Sequence, residues 1–440
     1  MKKRSLTILT TLFTLIAVGL SAQPLLEAKD VVHAALDKNF GVQMSENNLA
    51  IAGNNQSILN SSFLPTVGAN AGANYNLNNV VANFQNGTST ELSGAQSSSF
   101  NAGVNLNYIL FDGFGRLYNY KQLKERYQLS ELEAKASMEN AVFDALSAYY
   151  DVAVQSSQVE TFAEAVAVSS KRLERERSNF DFGQTTMLSV LNAEVDLNSD
   201  SISLVNAQVA WANSKKNLNA LLVEDINRDF AVDKDVTFMT DMDKATLQKM
   251  LLENNSLLLQ AKKNLALNNY NMGITRARYL PSISANAQYG WNRNNNNQAS
   301  FLLSSMSNGL NAGATLTWNL FDGGTTRTNA QNTKLQNLNL ALQIEETTNN
   351  LNRDFEIAWA NYQNSLFQYN SLTRNLDNSK YNFSRTDEQF KLGQVNSVEY
   401  RQAQLNLIAV QNQVIQAKYS TKLAELRLLQ LSGLLLETNF

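Results

Sequence analysis

Phe63-Leu64-Pro65-Thr66-Val67-Gly68-Ala69-Asn70-Ala71 returns later in the chain as Tyr279-Leu280-Pro281-Ser282-Ile283-Ser284-Ala285-Asn286-Ala287. The echo continues outward. Leu110-Phe111-Asp112-Gly113 returns as Leu320-Phe321-Asp322-Gly323, and Phe182-Gly183-Gln184 returns as Leu392-Gly393-Gln394. Phe111 and Phe182 are 71 residues apart, and so are Phe321 and Leu392. A period near 210 is far too long for a solenoid, so the chain is one structural half written twice.

The segments beside Pro65 and Pro281 have period two. Pro65, Val67, Ala69, Ala71, Ala73, Tyr75 and Leu77 alternate with Thr66, Gly68, Asn70, Gly72, Asn74 and Asn76. The same alternation runs through Phe100 to Leu110, Pro281 to Trp291 and Leu310 to Leu320. It lasts long enough for a tilted membrane-spanning strand, apolar on one face and small and polar on the other. The spacing predicts strand pairs 64-77 with 100-111 and 280-292 with 310-321. Tyr75, Tyr108, Tyr289, Trp291 and Trp318 fall toward strand ends, where an aromatic girdle would lie. Residues 78-99 and 293-309 read as polar outer loops, and Asn86-Gly87-Thr88 as a chance glycosylation sequon.

The remainder reads as helix. The chain has three prolines, none of them between Asp112 and Asn179 or between Asp322 and Gln389. Long helices are expected at 113-178 and 323-388, each about 100 Å long and therefore in need of a packing partner along its length. Shorter helices are expected at 186-222 and 395-432. The first carries two heptad seams, one through Leu188, Leu191, Val195, Ile202, Val205 and Val209, the other through Leu197, Asp200, Leu204, Ala207, Trp211 and Leu218. Two seams mean a neighbour on each side, so the helices extend as a row or close into a tube. The halves then run 24-222 and 244-433, joined by an acidic linker at 223-243 and followed by a tail at 434-440.

Composition narrows the function. Lys2, Lys3 and Arg4 followed by an apolar run and Ser21-Ala22-Gln23 predict a signal peptide over 1-23. Without those basic residues a chain of formal net charge −3 becomes more acidic, which argues against nucleic acid as a partner. There is no cysteine and one histidine, His33, which reads as a surface residue of an amphipathic helix. Catalytic, metal and cofactor sites are not expected. A four-stranded sheet also has two open edges, which hydrocarbon does not tolerate, so several chains must pool their strands.

These features together resemble the TolC-like outer membrane efflux factors over nearly the whole mature length. The resemblance rests on Leu64-Pro65 and Leu280-Pro281, on Leu-Phe-Asp-Gly at 110-113 and 320-323, and on the turns Asn179 to Gly183 and Gln389 to Gly393. It implies a homotrimer with a twelve-stranded barrel in the outer membrane of a Gram-negative bacterium and a helical tunnel across the periplasm. The tips at Phe182, Gly183, Gln184, Leu392, Gly393 and Gln394 would meet a periplasmic adaptor coupled to an inner-membrane transporter of RND or ABC type. Family entrances often carry acids six and nine residues after the second turn glycine, here Glu399 and Gln402. Glu399 is then either one of a ring of three carboxylates or a solvated helix residue. A polar latch found in the family would occupy the positions of Phe390, Val395 and Ser189, so any closure here is expected to be apolar. The implied function is a passive exit duct for efflux or type I secretion. The alternatives are a periplasmic coiled-coil scaffold or adhesin, which leaves the strands without a purpose, and a single-chain porin, which four strands cannot close.

Overall fold

The computed structural model describes residues 25–239 and 242–438, so the expected signal segment 1–23 lies outside the described residues. In chain order the elements are β1 Leu25–Leu26, α1 Ala28–Lys38, α2 Phe40–Asn55, β2 Thr66–Asn83, β3 Ser89–Phe111, α3 Gly115–Asp181 and α4 Met187–Leu221. The second half holds β4 Ala231–Val232, α5 Lys244–Asn254, α6 Ser256–Ala277, β5 Ser282–Asn295, β6 Ser304–Thr317, α7 Thr325–Lys391 and α8 Ser397–Leu431. Both long helices have 67 residues and both shorter ones 35, each pair offset by the repeat length.

The Leu-Phe-Asp-Gly motif is the device that turns a strand into a long helix. The Asp112 carboxylate accepts from the Arg116 amide at 2.7 Å, and Asp322 accepts from the Thr326 amide at 2.8 Å. Each satisfies a helix-start donor that has no partner of its own. Gly113 has φ +68°, and a Cβ there would lie 2.4 Å from the Ala277 carbonyl oxygen, so only glycine fits. The halves then diverge: Phe114 sits at φ +70° where the second half has Gly324. Its ring packs edge-on against Phe111 at 5.4 Å, a contact glycine could not make.

Short helices stack end to end to match the long ones. Asn39 caps the start of α2 and donates its amide to Leu221 O at the end of α4, 3.4 Å away. Asn255 does the same between α6 and Leu431 O of α8, at 2.9 Å. Positive helix starts therefore meet negative helix ends. Helices α4 and α2 together run beside α3, and α8 and α6 beside α7.

The linker is more ordered than its acidic composition suggests. β4 pairs in parallel with β1, Leu25 opposite Ala231 and Leu26 opposite Val232. Phe230 is fully buried in a core with Val142, Leu146 and Leu218. Tyr149 OH donates to the Leu26 and Asp233 carbonyls, and Lys418 Nζ and Tyr419 OH converge on the Lys234 carbonyl at 2.6 and 3.2 Å. The segment is a belt holding the two halves together. His33 is exposed on α1, as its sequence context implies.

The strands outrun their expected ends. β2 and β3 continue through most of 78-99, turning only at Phe84–Thr88, and β5 and β6 leave just 296–303 as loop. The apolar alternation stops sooner because a ribbon in water keeps its ladder without an apolar face. At the other end β6 stops at Thr317 rather than 321, and Trp318 Nε1 donates instead to the Tyr279 carbonyl at 3.2 Å.

Where α4 ends, Val223 adopts φ +54°, and its repeat equivalent is Gly433 at φ +70°. Both close the same motif, with Glu224 N donating to Asn219 O and Leu434 N to Leu429 O. A β-branched residue is strained there. Val223→Gly should therefore stabilise the protein by about 1 kcal/mol, read as a higher melting temperature. Gly433→Val should lower it, since a Cβ there lies 2.6 Å from the Asn254 carbonyl oxygen.

Candidate channel wall and entrance

The four long strands form one antiparallel sheet in the order β2-β3-β5-β6. Its register collects like with like. Ala69, Val104, Tyr289 and Leu310 share one rung, while Gly68, Asn105, Gln288 and Asn311 share the next. From Thr66 to Asn76 the polar face holds only Asn, Gln, Ser, Thr and Gly. Amides lie flat over opposing glycines: Asn105 Oδ1 is 3.2 Å from where a Gly68 Cβ would be, and Gln288 Nε2 the same distance from that of Gly103. The other face presents exposed Val67, Val104, Leu310 and Leu316. Such a sheet places its apolar face against lipid and its polar face against water.

The strand aromatics Tyr75, Tyr108, Tyr289 and Trp291 share the apolar face, at different depths. Tyr75 pairs with Ser98, ten residues along β3 from Tyr108. That is about 33 Å of strand, or roughly 25 Å of membrane depth after tilting, which matches the apolar band of a barrel. Trp291 lies toward the Tyr75 side and Trp318 just past the other end, whereas Tyr289 is mid-strand and accepts from Asn308 Nδ2 at 3.1 Å.

At the far end of the molecule, α3 and α7 terminate in matching glycine turns. Gly183 and Gly393 have φ near +70°, and Gln184 N and Gln394 N donate to Asn179 O and Gln389 O at 2.7 and 2.9 Å. This geometry leaves Phe182 and Leu392 standing 78% and 73% exposed on the two tips.

The expected entrance residues lie just behind. Glu399 is exposed, and its carboxylate accepts from the Asn396 amide at 3.1 Å, making it the far member of a capping box at the start of α8. Gln402 is exposed, Nε2 donating to Asn406 at 2.9 Å, and Ser189 and Val395 are half-buried. Phe390 is half-buried too, its ring 4.6 Å from Tyr400 and within 6 Å of the Arg172 and Arg175 guanidinium groups. Burial pushes the Tyr400 hydroxyl up to about 12.

Sequence reasoning missed the polar cluster beyond this ring. Arg401 on α8 grips Asp200 of α4 through two nitrogens at 2.8 Å and approaches Asp196 at 3.3 Å. Arg172 of α3, 1% exposed, reaches Asp196 at 2.7 Å and also donates to Ser397. Ser169 donates to Asp200 and accepts from Gln404. Burial opposes the charge on Arg401, but the hydrogen bonds to Asp200 and the charges of Asp200 and Asp196 together outweigh it and raise the guanidinium above its ordinary value. Two cations and two carboxylates thus neutralise each other where three helices meet. A polar tie exists, but at residues other than Phe390, Val395 and Ser189. Asp200 inside an apolar heptad seam was the available signal.

The seams divide as two-sided helices should. Asp200, Ala207, Ser214 and Leu218 are buried within the chain, whereas Leu188, Leu191, Val195, Ile202, Val205 and Val209 remain exposed.

The family model for outer membrane efflux proteins matches residues 31–223 and 247–434, one match to each half. The chain belongs to the outer membrane efflux protein family. It is 20% identical over 380 residues to outer membrane protein TolC of Vibrio cholerae, covering 86% of this chain and 84% of that one. To the outer membrane efflux protein BepC of Brucella suis it is 21% identical over 339 residues, covering 75% and 71%. Its fold is that of the Campylobacter jejuni CmeC outer membrane channel, with TM-score 0.78 at 18% identity over 93% of this chain and 86% of the other. Membership makes the sheet part of an outer membrane barrel, the helices a tunnel reaching into the periplasm, and the protein an efflux channel rather than an enzyme.

The cluster gives a direct test. Arg401→Ala leaves Asp200 short of its cation in a site largely closed to water, and should cost about 3 kcal/mol, seen as a lower melting temperature. Asp200→Ala combined with Arg401→Ala should recover most of that loss.

Proposed function

We propose that three copies of this chain close a twelve-stranded barrel and a continuous helical tunnel, forming the passive exit duct of a tripartite efflux or type I secretion system. The observation that carries this reading is that a single chain leaves long periodic rows unsatisfied along its edges. The outer edges of β2 and β6 have no strand partner among the described residues, and the exposed α4 seam has no helix partner. Backbone groups in hydrocarbon must be paired, and four strands are too few to close on themselves.

In this reading the exposed tips at Phe182 to Gln184 and Leu392 to Gln394 dock a periplasmic adaptor, which links the duct to an inner-membrane transporter of RND or ABC type. Tyr75, Tyr108, Trp291 and Trp318 mark the membrane boundaries, with Tyr289 between them. The entrance lies among Ser189, Phe390, Val395, Glu399 and Gln402, with Glu399 of three chains forming a carboxylate ring that favours cations. The tie between Arg401 and Asp200 holds α8 against α4 behind that ring. A periplasmic scaffold or adhesin would have no use for a sheet with one largely apolar face.

Cross-linking in detergent should stop at three chains, and a stable monodisperse monomer would overturn the architecture. Ala285→Arg, on the lipid face opposite Tyr108, should impair assembly, because a charge facing hydrocarbon is costly, by about 2–4 kcal/mol at the midplane and less toward the boundary level where Ala285 lies. Ser284→Arg should be tolerated. Equal damage from both would mean that these are not membrane strands. At the entrance, Glu399→Gln keeps an acceptor for the Asn396 amide, so trimer yield should not change while the reversal potential of reconstituted channels shifts toward lower cation preference. An unaltered reversal potential would remove Glu399 from the filter.

A further inference from the structure

The hairpin of β2 and β3 climbs well past the rest of the sheet. The last rung shared by the four strands joins Tyr75, Ser98, Asn295 and Ser304, yet β2 and β3 stay paired through Val80 with Leu92 and on to Asn83 with Ser89. At its base is a bulge, where the Asn79 side chain accepts from the Gly94 amide at 2.9 Å and Gly94 takes φ +70°. The ribbon above carries exposed Val81 and Phe84. A two-stranded ribbon standing alone in water is marginal.

A second apolar group lies at the opposite edge of the sheet. Phe301-Leu302-Leu303 ends the loop before β6, and Asn296 N closes that loop by donating to Leu303 O at 2.9 Å. Phe301 is 97% exposed and Leu303 76%, more than any residue of the membrane-facing strands needs. Within one chain, the ribbon and the loop stand on opposite edges of the four-stranded sheet.

Register brings them together between copies. The rung through Thr66, Asn107, Asn286 and Gly313 leaves β6 running four residues further, to Thr317, while β2 begins at Thr66. With the lower strand ends at one membrane level, the rung climbs by those four residues across a protomer and by about one more across the seam, as the shear of a tilted barrel requires. Val67 then faces Leu316 or Trp318 of the next copy, since only these keep apolar residues on one face. Counting upward from either, Ser304 arrives beside the stretch from Asn79 to Val81. There the ladder between copies ends, and Phe301-Leu302-Leu303 lies against Val81 to Phe84.

We infer that the Phe301-Leu302-Leu303 loop of each copy clasps the projecting β2–β3 ribbon of its neighbour, an apolar contact that holds the ribbon in place at the outer mouth of the barrel. The inference rests on the trimeric reading above and adds a specific contact to it. The occupant is a second copy of this chain because the free edge of β6 leads straight into the loop, and that edge has a strand of the next copy beside it. Insertion of the loop into lipid is the competing outcome.

The absence of cysteine makes the test direct. Leu302→Cys is combined in turn with Val81→Cys, Ala82→Cys and Asn83→Cys, the full-length channel is isolated from outer membranes, and mild oxidant is added. At least one pair should link most of the protein into a covalent three-chain band on a non-reducing gel. Leu302→Cys with Val67→Cys should not, because about 14 residues of strand separate those levels and a disulfide needs Cα atoms within about 7 Å. If no pair links while an amine-reactive cross-linker still captures three chains, the clasp is wrong and the trimer stands. If the cross-linker captures only single chains, the trimer falls and the clasp with it. Leu302→Trp in vesicles of brominated-chain phospholipid should keep its fluorescence, and strong quenching would assign the loop to lipid and overturn the inference.

Discussion

An unpaired peptide group in hydrocarbon costs several kcal/mol, and this chain carries a row of them on each edge of its sheet. The rest of the architecture follows from that constraint. The strands can be this polar on one face only because water lies behind them, and water lies behind them only if the sheet is closed. Four strands supply a fraction of a barrel, and in the proposed trimer the exposed face of α4 is the seam left open for a neighbour.

Duplication is how a single chain meets this demand economically. The Asp-Gly turn that launches α3 also launches α7, and the glycine turn that ends one ends the other. Equal helix lengths place both tips at one depth and both hairpins in one membrane. The halves differ where each has had to adapt locally: Phe114 against Gly324, Val223 against Gly433, and a linker that becomes a belt through carbonyls gripped by Tyr149, Lys418 and Tyr419. The polar cluster of Arg172, Asp196, Asp200 and Arg401 joins the two halves, since Arg401 of the second meets carboxylates of the first.

What the sequence disclosed was whatever is encoded locally. Proline-free runs, helix-start aspartates and turn glycines gave the long helices to within a few residues, because capping is settled within one turn. Strand faces were legible for the same reason, since alternation is a property of neighbours. Strand ends were not: above the membrane the apolar signal stops while the ladder from Val80 to Asn83 continues. The β1 and β4 pairing was invisible, because two residues on each side carry no pattern and lie far apart in the chain. The arginine cluster was hidden in another way. Asp200 occupies a heptad position that otherwise holds packing residues, and its partner Arg401 is 201 positions away.

The polar face of the sheet has one more property. Between the levels of Thr66 and Asn76 it contains amides, hydroxyls and bare backbone, and no group that gains or loses a proton in water at ordinary pH. A wall of this kind carries no fixed charge, so no counterion layer lines it and acidity does not alter it. Ions and molecules crossing this stretch meet a passage whose character is the same in acid, neutral or alkaline surroundings. Any response to the surroundings must therefore be built into the two ends of the duct and not into its membrane section.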